Sequence, residues 1–235
     1  MPSVIITGGT KGIGRSLVAK FASEGFDIAT CARNEDELNN LKKITEKENP
    51  GIKVLAIKCD ASVKTDIQNF GKTVINTLGI PDVLINNVGI FLPGTILDEN
   101  EGDFEKLINT NLASAYHLTR VIAPEMIKRK SGYIFNLCST ASIVAYTNGG
   151  SYCISKFGML GFSKVLREEM KEFNIRVSSV LPGATNTDSW KGSNIPPERF
   201  MAPEDIANLI FYFYKTPVNI NVEEILIRPI QGDIS

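Results

Sequence analysis

Two side chains four residues apart, Tyr152 and Lys156, have the chemistry to exchange a proton with a substrate. Residues at i and i+4 share one helix face, so Tyr152-Cys153-Ile154-Ser155-Lys156 would present both together. A free phenol has a pKa of about 10 and is a poor base near neutrality. A nearby ammonium favours the phenolate and lowers that value, matching the pair to carbonyl–alcohol interconversion. The spacing alone is common in helices that do no chemistry. Ser139 lies upstream and offers a hydroxyl that polarises a substrate oxygen, or one that only caps a turn.

A second group suits an anion. Thr7-Gly8-Gly9-Thr10-Lys11-Gly12-Ile13-Gly14 separates a predicted strand from a predicted helix. Glycine permits the tight turn and the close approach of backbone to a pyrophosphate, and the helix N-terminus adds partial positive charge. The spacing is G-x-x-x-G-x-G rather than G-x-G-x-x-G, so a ligand-free structural turn is the alternative. The second strand ends Cys31-Ala32-Arg33, without the acid that holds a ribose 2′-hydroxyl in NAD sites. Arg33 suits a 2′-phosphate, and Lys11 offers a second cation, so NADP(H) is the expected cofactor. An ordinary exposed arginine is the competing reading.

The elements that must position these residues alternate along the chain. Strands are predicted at 4–7, 27–32, 53–58, 82–86, 133–138, 176–181 and 223–227. Helices are predicted at 12–24, 34–48, 62–77, 101–130, 151–173 and 203–214. Asn34 and Ser62 are the expected caps of the second and third helices. The long helical region reads as two pieces, with Pro124 a possible kink. This alternation predicts an α/β fold: one doubly wound (Rossmann) domain spanning 1–235, with a parallel sheet of about seven strands and helices on both faces. Nearly all the glycine-rich and polar punctuation follows the carboxyl ends of the strands, where such sheets bind ligands.

The ordered set resembles the short-chain dehydrogenase/reductase family over nearly the whole chain. It comprises the glycine turn, Asn86-Asn87-Val88-Gly89, Asn111, Ser139, Tyr152 with Lys156, and Pro182-Gly183 followed by Thr187. The nearest likeness is to small NADPH-dependent carbonyl and 3-oxoacyl-[acyl-carrier-protein] reductases. The resemblance implies that Tyr152 is the general acid/base and that Lys156 holds the nicotinamide ribose and lowers the tyrosine pKa. It also implies that Ser139 orients the carbonyl and that Asn111 supports a water-linked proton relay. Asp60 would lie near the adenine, Asn87 and Gly89 along the cofactor, and Thr187 near the carboxamide. Gly8, Thr10, Lys11, Gly12, Ile13, Gly14, Arg33, Pro182 and Gly183 complete the implied cofactor site. A homodimer or homotetramer is implied as well. The region 184–202, normally the substrate lid, is short here. A non-enzymatic NADP(H)-binding sensor is the rival reading; it would not need Ser139, Tyr152 and Lys156 together.

Composition narrows the partners to small molecules. Net charge is −1, from 25 basic and 26 acidic residues, so no basic excess points to nucleic acid. No apolar stretch reaches the ~20 residues of a membrane span. No basic segment precedes an apolar one at the N-terminus, and the cysteines Cys31, Cys59, Cys138 and Cys153 show no metal-like pairing. Reduced thiols and a cytoplasmic location are expected. His117, Cys138 and Cys153 read as packing residues. Trp190, Phe200 and Met201 either line an apolar pocket or pack the lid region down.

Overall fold

The computed structural model describes residues 1–234 except 191 and 193, and the parts of the expected lid at those two positions lie outside the described residues. Seven strands are present: β1 (Ser3–Thr7), β2 (Asp27–Ala32), β3 (Val54–Lys58), β4 (Val83–Asn86), β5 (Gly132–Leu137), β6 (Ile175–Pro182) and β7 (Glu224–Ile227). They form one parallel sheet in the order β3-β2-β1-β4-β5-β6-β7. Every residue of β1 and of β4 is buried, as strands covered on both faces must be.

The helices are α1 (Gly12–Ser23), α2 (Glu35–Glu48), α3 (Lys64–Leu78), α4 (Asp103–Ile108), α5 (Ser114–Arg129), α6 (Gly150–Met170) and α7 (Pro203–Tyr214). Phe21 of α1, Leu41 of α2 and Phe211 of α7 join the core on one face of the sheet. Ile67 and Phe70 of α3, Leu118 and Ile122 of α5, and Leu166 of α6 join the core on the other. Phe21 meets Phe26 and Phe211 edge-on at 5.1 and 5.2 Å, which locks α1 against α7. Each such side chain contributes about 1.5–3 kcal/mol through burial.

Because β1 pairs with both β2 and β4, the winding reverses between β1 and β4. Such a reversal opens a crevice at the carboxyl ends of the strands. The close packing there depends on Gly14. A Cβ on Gly14 would lie 2.1 Å from the Gly8 carbonyl oxygen, so any side chain would push α1 off the turn.

One local expectation fails. Ser62 does not cap α3, which begins two residues later behind Val63 with no side-chain cap. Instead the Ser62 amide and hydroxyl both donate to Asp60 Oδ1, at 3.0 and 2.7 Å. The Asp60 carboxylate offers the backbone a tighter local turn and outcompetes the cap. The long helical region does fall into two pieces, α4 and α5, and α5 runs on through Pro124. The discontinuity is a π-helical turn at Asn109–Ala113, which carries Asn111. Asn34 does cap α2, accepting from the Glu37 amide at 3.1 Å.

Candidate active site

A cavity of about 1020 Å³ opens at the carboxyl ends of the strands. Gly8, Lys11, Gly12, Ile13 and Gly14 line it after β1, and Asn87 and Gly89 after β4. Ser139 enters after β5, Tyr152 and Lys156 from α6, and Pro182, Gly183 and Thr187 after β6. Asn111 lies just beneath it, buried at 1% exposure. Thr10, Arg33 and Asp60 are not among its lining residues. Arg33 is exposed, and its charge reaches the Asp60 carboxyl, which the Ser62 hydrogen bond chiefly holds below its usual value.

Hydrogen bonds brace the catalytic end from below. Asn111 Nδ2 donates to the Ile90 carbonyl and to Ser155 Oγ, both at 3.0 Å. Its Oδ1 accepts from the Ile90 amide at 2.8 Å. Ser155 Oγ donates to the Tyr152 carbonyl at 2.7 Å, tying the first turn of α6 to the π-helical turn. Both amide N–H donors of Asn111 are thus spent within the protein, leaving only its carbonyl oxygen with a lone pair to spare.

Helix α6 is also capped from a distance. Gly149 provides no side-chain cap for α6, and the first turn of α6 has no acid. Glu99 supplies both: its carboxylate accepts from the Ser151 amide at 2.6 Å and from the Ser151 hydroxyl. An anion at a helix N-terminus satisfies orphan N–H groups and complements the dipole. Glycine is required beneath it, because a Cβ on Gly150 would lie 2.2 Å from Glu99 Oε1.

Burial pushes the Tyr152 phenol above its ordinary value, and a hydrogen bond with Ser139 pulls it partly back. The Lys156 ammonium donates to the Leu137 carbonyl at 2.9 Å and stands 5.9 Å from the Tyr152 ring centre. Burial in turn pushes Lys156 below its usual value. Phe91 packs edge-on against Tyr152 at 4.9 Å and fixes the ring. Cys138 and Cys153 are buried beside the site, and burial raises the Cys138 thiol to about 12, so it stays protonated and inert.

The opposite end suits phosphates. α1 starts behind Lys11 with no side-chain cap and no acid in its first turn, so its leading N–H groups are left for an anion. Gly8 and Gly12 hold φ of +70° and +51°, a conformation that disfavours other residues. A Cβ on Gly89 would sit 3.4 Å from Asn111 Oδ1 and 3.5 Å from Lys156 Nζ, filling the strip between the turn and α6. A Cβ on Gly12 would sit 3.0 Å from Thr187 Cγ2, so the base of the lid touches the glycine turn. Trp190 both lines the cavity and packs on Phe200 at 5.1 Å, whereas Met201 packs against the core. His117 is partly exposed beside Tyr116, away from this cavity.

Sequence reasoning missed Ser155, Glu99 and Glu37. Ser155 sits between Tyr152 and Lys156 and faces Asn111, a pairing visible only once the π-helical turn is placed. Glu99 lies 52 residues from Ser151, so no local pattern announces it.

The family model for short chain dehydrogenases matches residues 2–197. A sepiapterin reductase of Chlorobaculum tepidum is 31% identical, over 98% of this chain and 97% of that protein. A metagenomic short-chain oxidoreductase solved in complex with NADP is 29% identical and covers 97% of this chain and 96% of its own, at a TM-score of 0.84. An alcohol dehydrogenase from Thermococcus sibiricus, 24% identical, shares the fold at a TM-score of 0.92, with 100% of this chain and 99% of that one covered. Among the described residues no helix is long and apolar enough to cross a membrane, and no cluster could hold a metal ion.

Proposed function

Because the chain belongs to the short-chain dehydrogenase family, we propose that it is an NADP(H)-dependent oxidoreductase interconverting a ketone or aldehyde and its alcohol. The observation that carries this reading is the convergence of Ser139, Tyr152 and Lys156 with an uncapped, glycine-bounded helix N-terminus on one cavity. The residues fit the cofactor: the turn at Gly8 and Gly12, the bare strip at Gly89, and the cations Lys11 and Arg33 suit a pyrophosphate, a nicotinamide ribose and a 2′-phosphate respectively. NADP(H), when bound, supplies or accepts a hydride.

The protein's own groups handle the oxygen and the proton. The Ser139 hydroxyl donates to the substrate oxygen and polarises the carbonyl. The Tyr152 phenol, kept protonated by burial, gives its proton to that oxygen during reduction and takes it back during oxidation. The Lys156 ammonium lies near enough to stabilise the phenolate that remains. Asn111 and Ser155 hold Tyr152 in register by their hydrogen bonds.

Phe91, Val144, Tyr146, Trp190 and Ile195 give the catalytic end an apolar, largely aromatic wall. The cation nearest the reacting oxygen is Lys156, which the chemistry itself occupies. A neutral ketone with a bulky apolar substituent suits this wall better than a small 2-oxo acid, whose charge an apolar surface disfavours.

The test is NADPH oxidation with a panel of neutral aryl and alicyclic ketones beside small 2-oxo acids. Turnover should favour the neutral ketones. Tyr152→Phe should lower kcat by about 10²–10⁴-fold, the usual worth of a positioned acid. A Tyr152→Phe protein as active as wild type would overturn the mechanism.

A further inference from the structure

The coenzyme end holds an acid that none of this chemistry requires. Glu37 stands on the first turn of α2, four residues past Arg33, with 31% of its side chain exposed. Its Oε1 lies 2.8 Å from Lys11 Nζ, so the second cation of the phosphate site is already paired. Thr10 also hydrogen-bonds the Glu37 carboxylate, anchoring it to the glycine turn. Lys11, Glu37 and Asp188 border one groove beside the main cavity. Around the Lys11 ammonium, the charges are therefore Glu37 in contact, Asp188 from the lid and Arg33 opposing. Arg33 has no ion-pair partner among the described residues. The two cations are consequently unequal: one is open, and the other is held by a carboxylate.

A 2′-phosphate carries about −1.5 to −2 charges near neutrality. Placed between Arg33 and Lys11, it must compete with Glu37 for the Lys11 ammonium and lie beside the carboxylate as well. A ribose that carries a 2′-hydroxyl meets neither penalty, and a carboxylate is the usual acceptor for that hydroxyl. We propose that Glu37 is a coenzyme-discriminating residue, holding Lys11 back from the 2′-phosphate so that the preference for NADPH over NADH is smaller than Arg33 and Lys11 alone would make it. This rests on NADP(H) being the coenzyme. It makes NADH a usable second reductant and places the control of that balance on an acid outside the glycine turn.

Glu37→Gln is the informative variant. It keeps the shape and the backbone amide that Asn34 accepts, so α2 retains its cap. Steady-state kinetics with one ketone should show kcat/KM for NADPH rising about threefold to tenfold, in line with removing one screened like charge. The value for NADH should stay within about twofold or fall. The gain should shrink as salt rises, because the groups are exposed. It should also shrink when Lys11→Ala is added, because only the direct repulsion between carboxylate and phosphate then remains, and a double-mutant cycle reads that coupling directly. An unchanged NADPH/NADH ratio in Glu37→Gln, or a gain undiminished by Lys11→Ala, would sink the proposal. Wild-type protein that turns over neither coenzyme would instead sink the function proposed above.

Discussion

At the tyrosine end of the cavity, Asn111, Ser155 and Lys156 are buried and each held by hydrogen bonds of 2.7–3.0 Å, Lys156 to the Leu137 carbonyl. At the arginine end, Arg33 is exposed, and Lys11, with 58% of its side chain exposed, holds its charge through one surface ion pair. The first region is preorganised, because a buried donor or acceptor left unpaired costs about 1–3 kcal/mol. The second relies on charge in water, where a single exposed pair is worth about 0–1 kcal/mol. On the function proposed, positioning for proton transfer is built into folding, whereas coenzyme choice is left to a few adjustable side chains. Changes at the two ends should differ in kind.

The largest effect is expected at Asn111. Asn111→Leu would strip both Ile90 backbone groups and Ser155 of their partner, costing about 1–3 kcal/mol of stability at buried Ser155 and less at the part-buried Ile90 groups, which water in the cavity can reach. Thermal unfolding should register about 2–4 °C for every kcal/mol lost, together with a fall in kcat. A variant with the wild-type melting temperature would show that this end is no better organised than the other.

Arg33→Ala should act more gently. Affinity for NADPH should drop about tenfold or somewhat more, the scale of one charge-assisted contact, with NADH affected little and stability unchanged. Raising the salt should narrow the gap between variant and wild type. A loss insensitive to salt would mean that Arg33 is held in a dry, fixed contact like those around Tyr152.

The smallest effect concerns pH. Burial raises the Tyr152 pKa, so the phenol is protonated at all pH values below that raised value and loses its proton only above it. Reduction should therefore stay nearly flat from about pH 6 to about pH 9, the reference phenol titrating near 10. Oxidation, which needs the proton removed, should rise with pH. A descending limb for reduction near neutrality would instead assign control to Lys156, whose ammonium burial pushes downward.

How much could be read in advance divides along the same line. All seven strands and the crevice at their carboxyl ends follow from short β-branched runs alternating with helical ones, a local pattern. Tyr152, Lys156, Ser139 and the glycine turn stand out because each carries its signal in a few adjacent residues. Ser62 misled because two local hydrogen-bonding solutions compete for one serine, and spacing does not say that Asp60 wins. The place where the long helical region divides, at Asn109–Ala113, could not be read because it contains no residue that breaks helices. Glu99 and Glu37 were hidden because their partners, Ser151 and Lys11, lie on other elements.

The π-helical turn also has a consequence for how this chain can evolve. Such a turn lodges one residue more than a regular helix would hold. Removing any residue of Asn109–Ala113 would restore an ordinary helix while swinging one flank about 100° against the other. Asn111 would then lose either Ile90 on one side or Ser155 on the other. Outward-facing positions along α4 and α5 can drift in composition, but the number of residues in Asn109–Ala113 cannot. An active descendant with a single deletion in that turn would contradict this, and descendants differing there only by substitution are what the geometry permits.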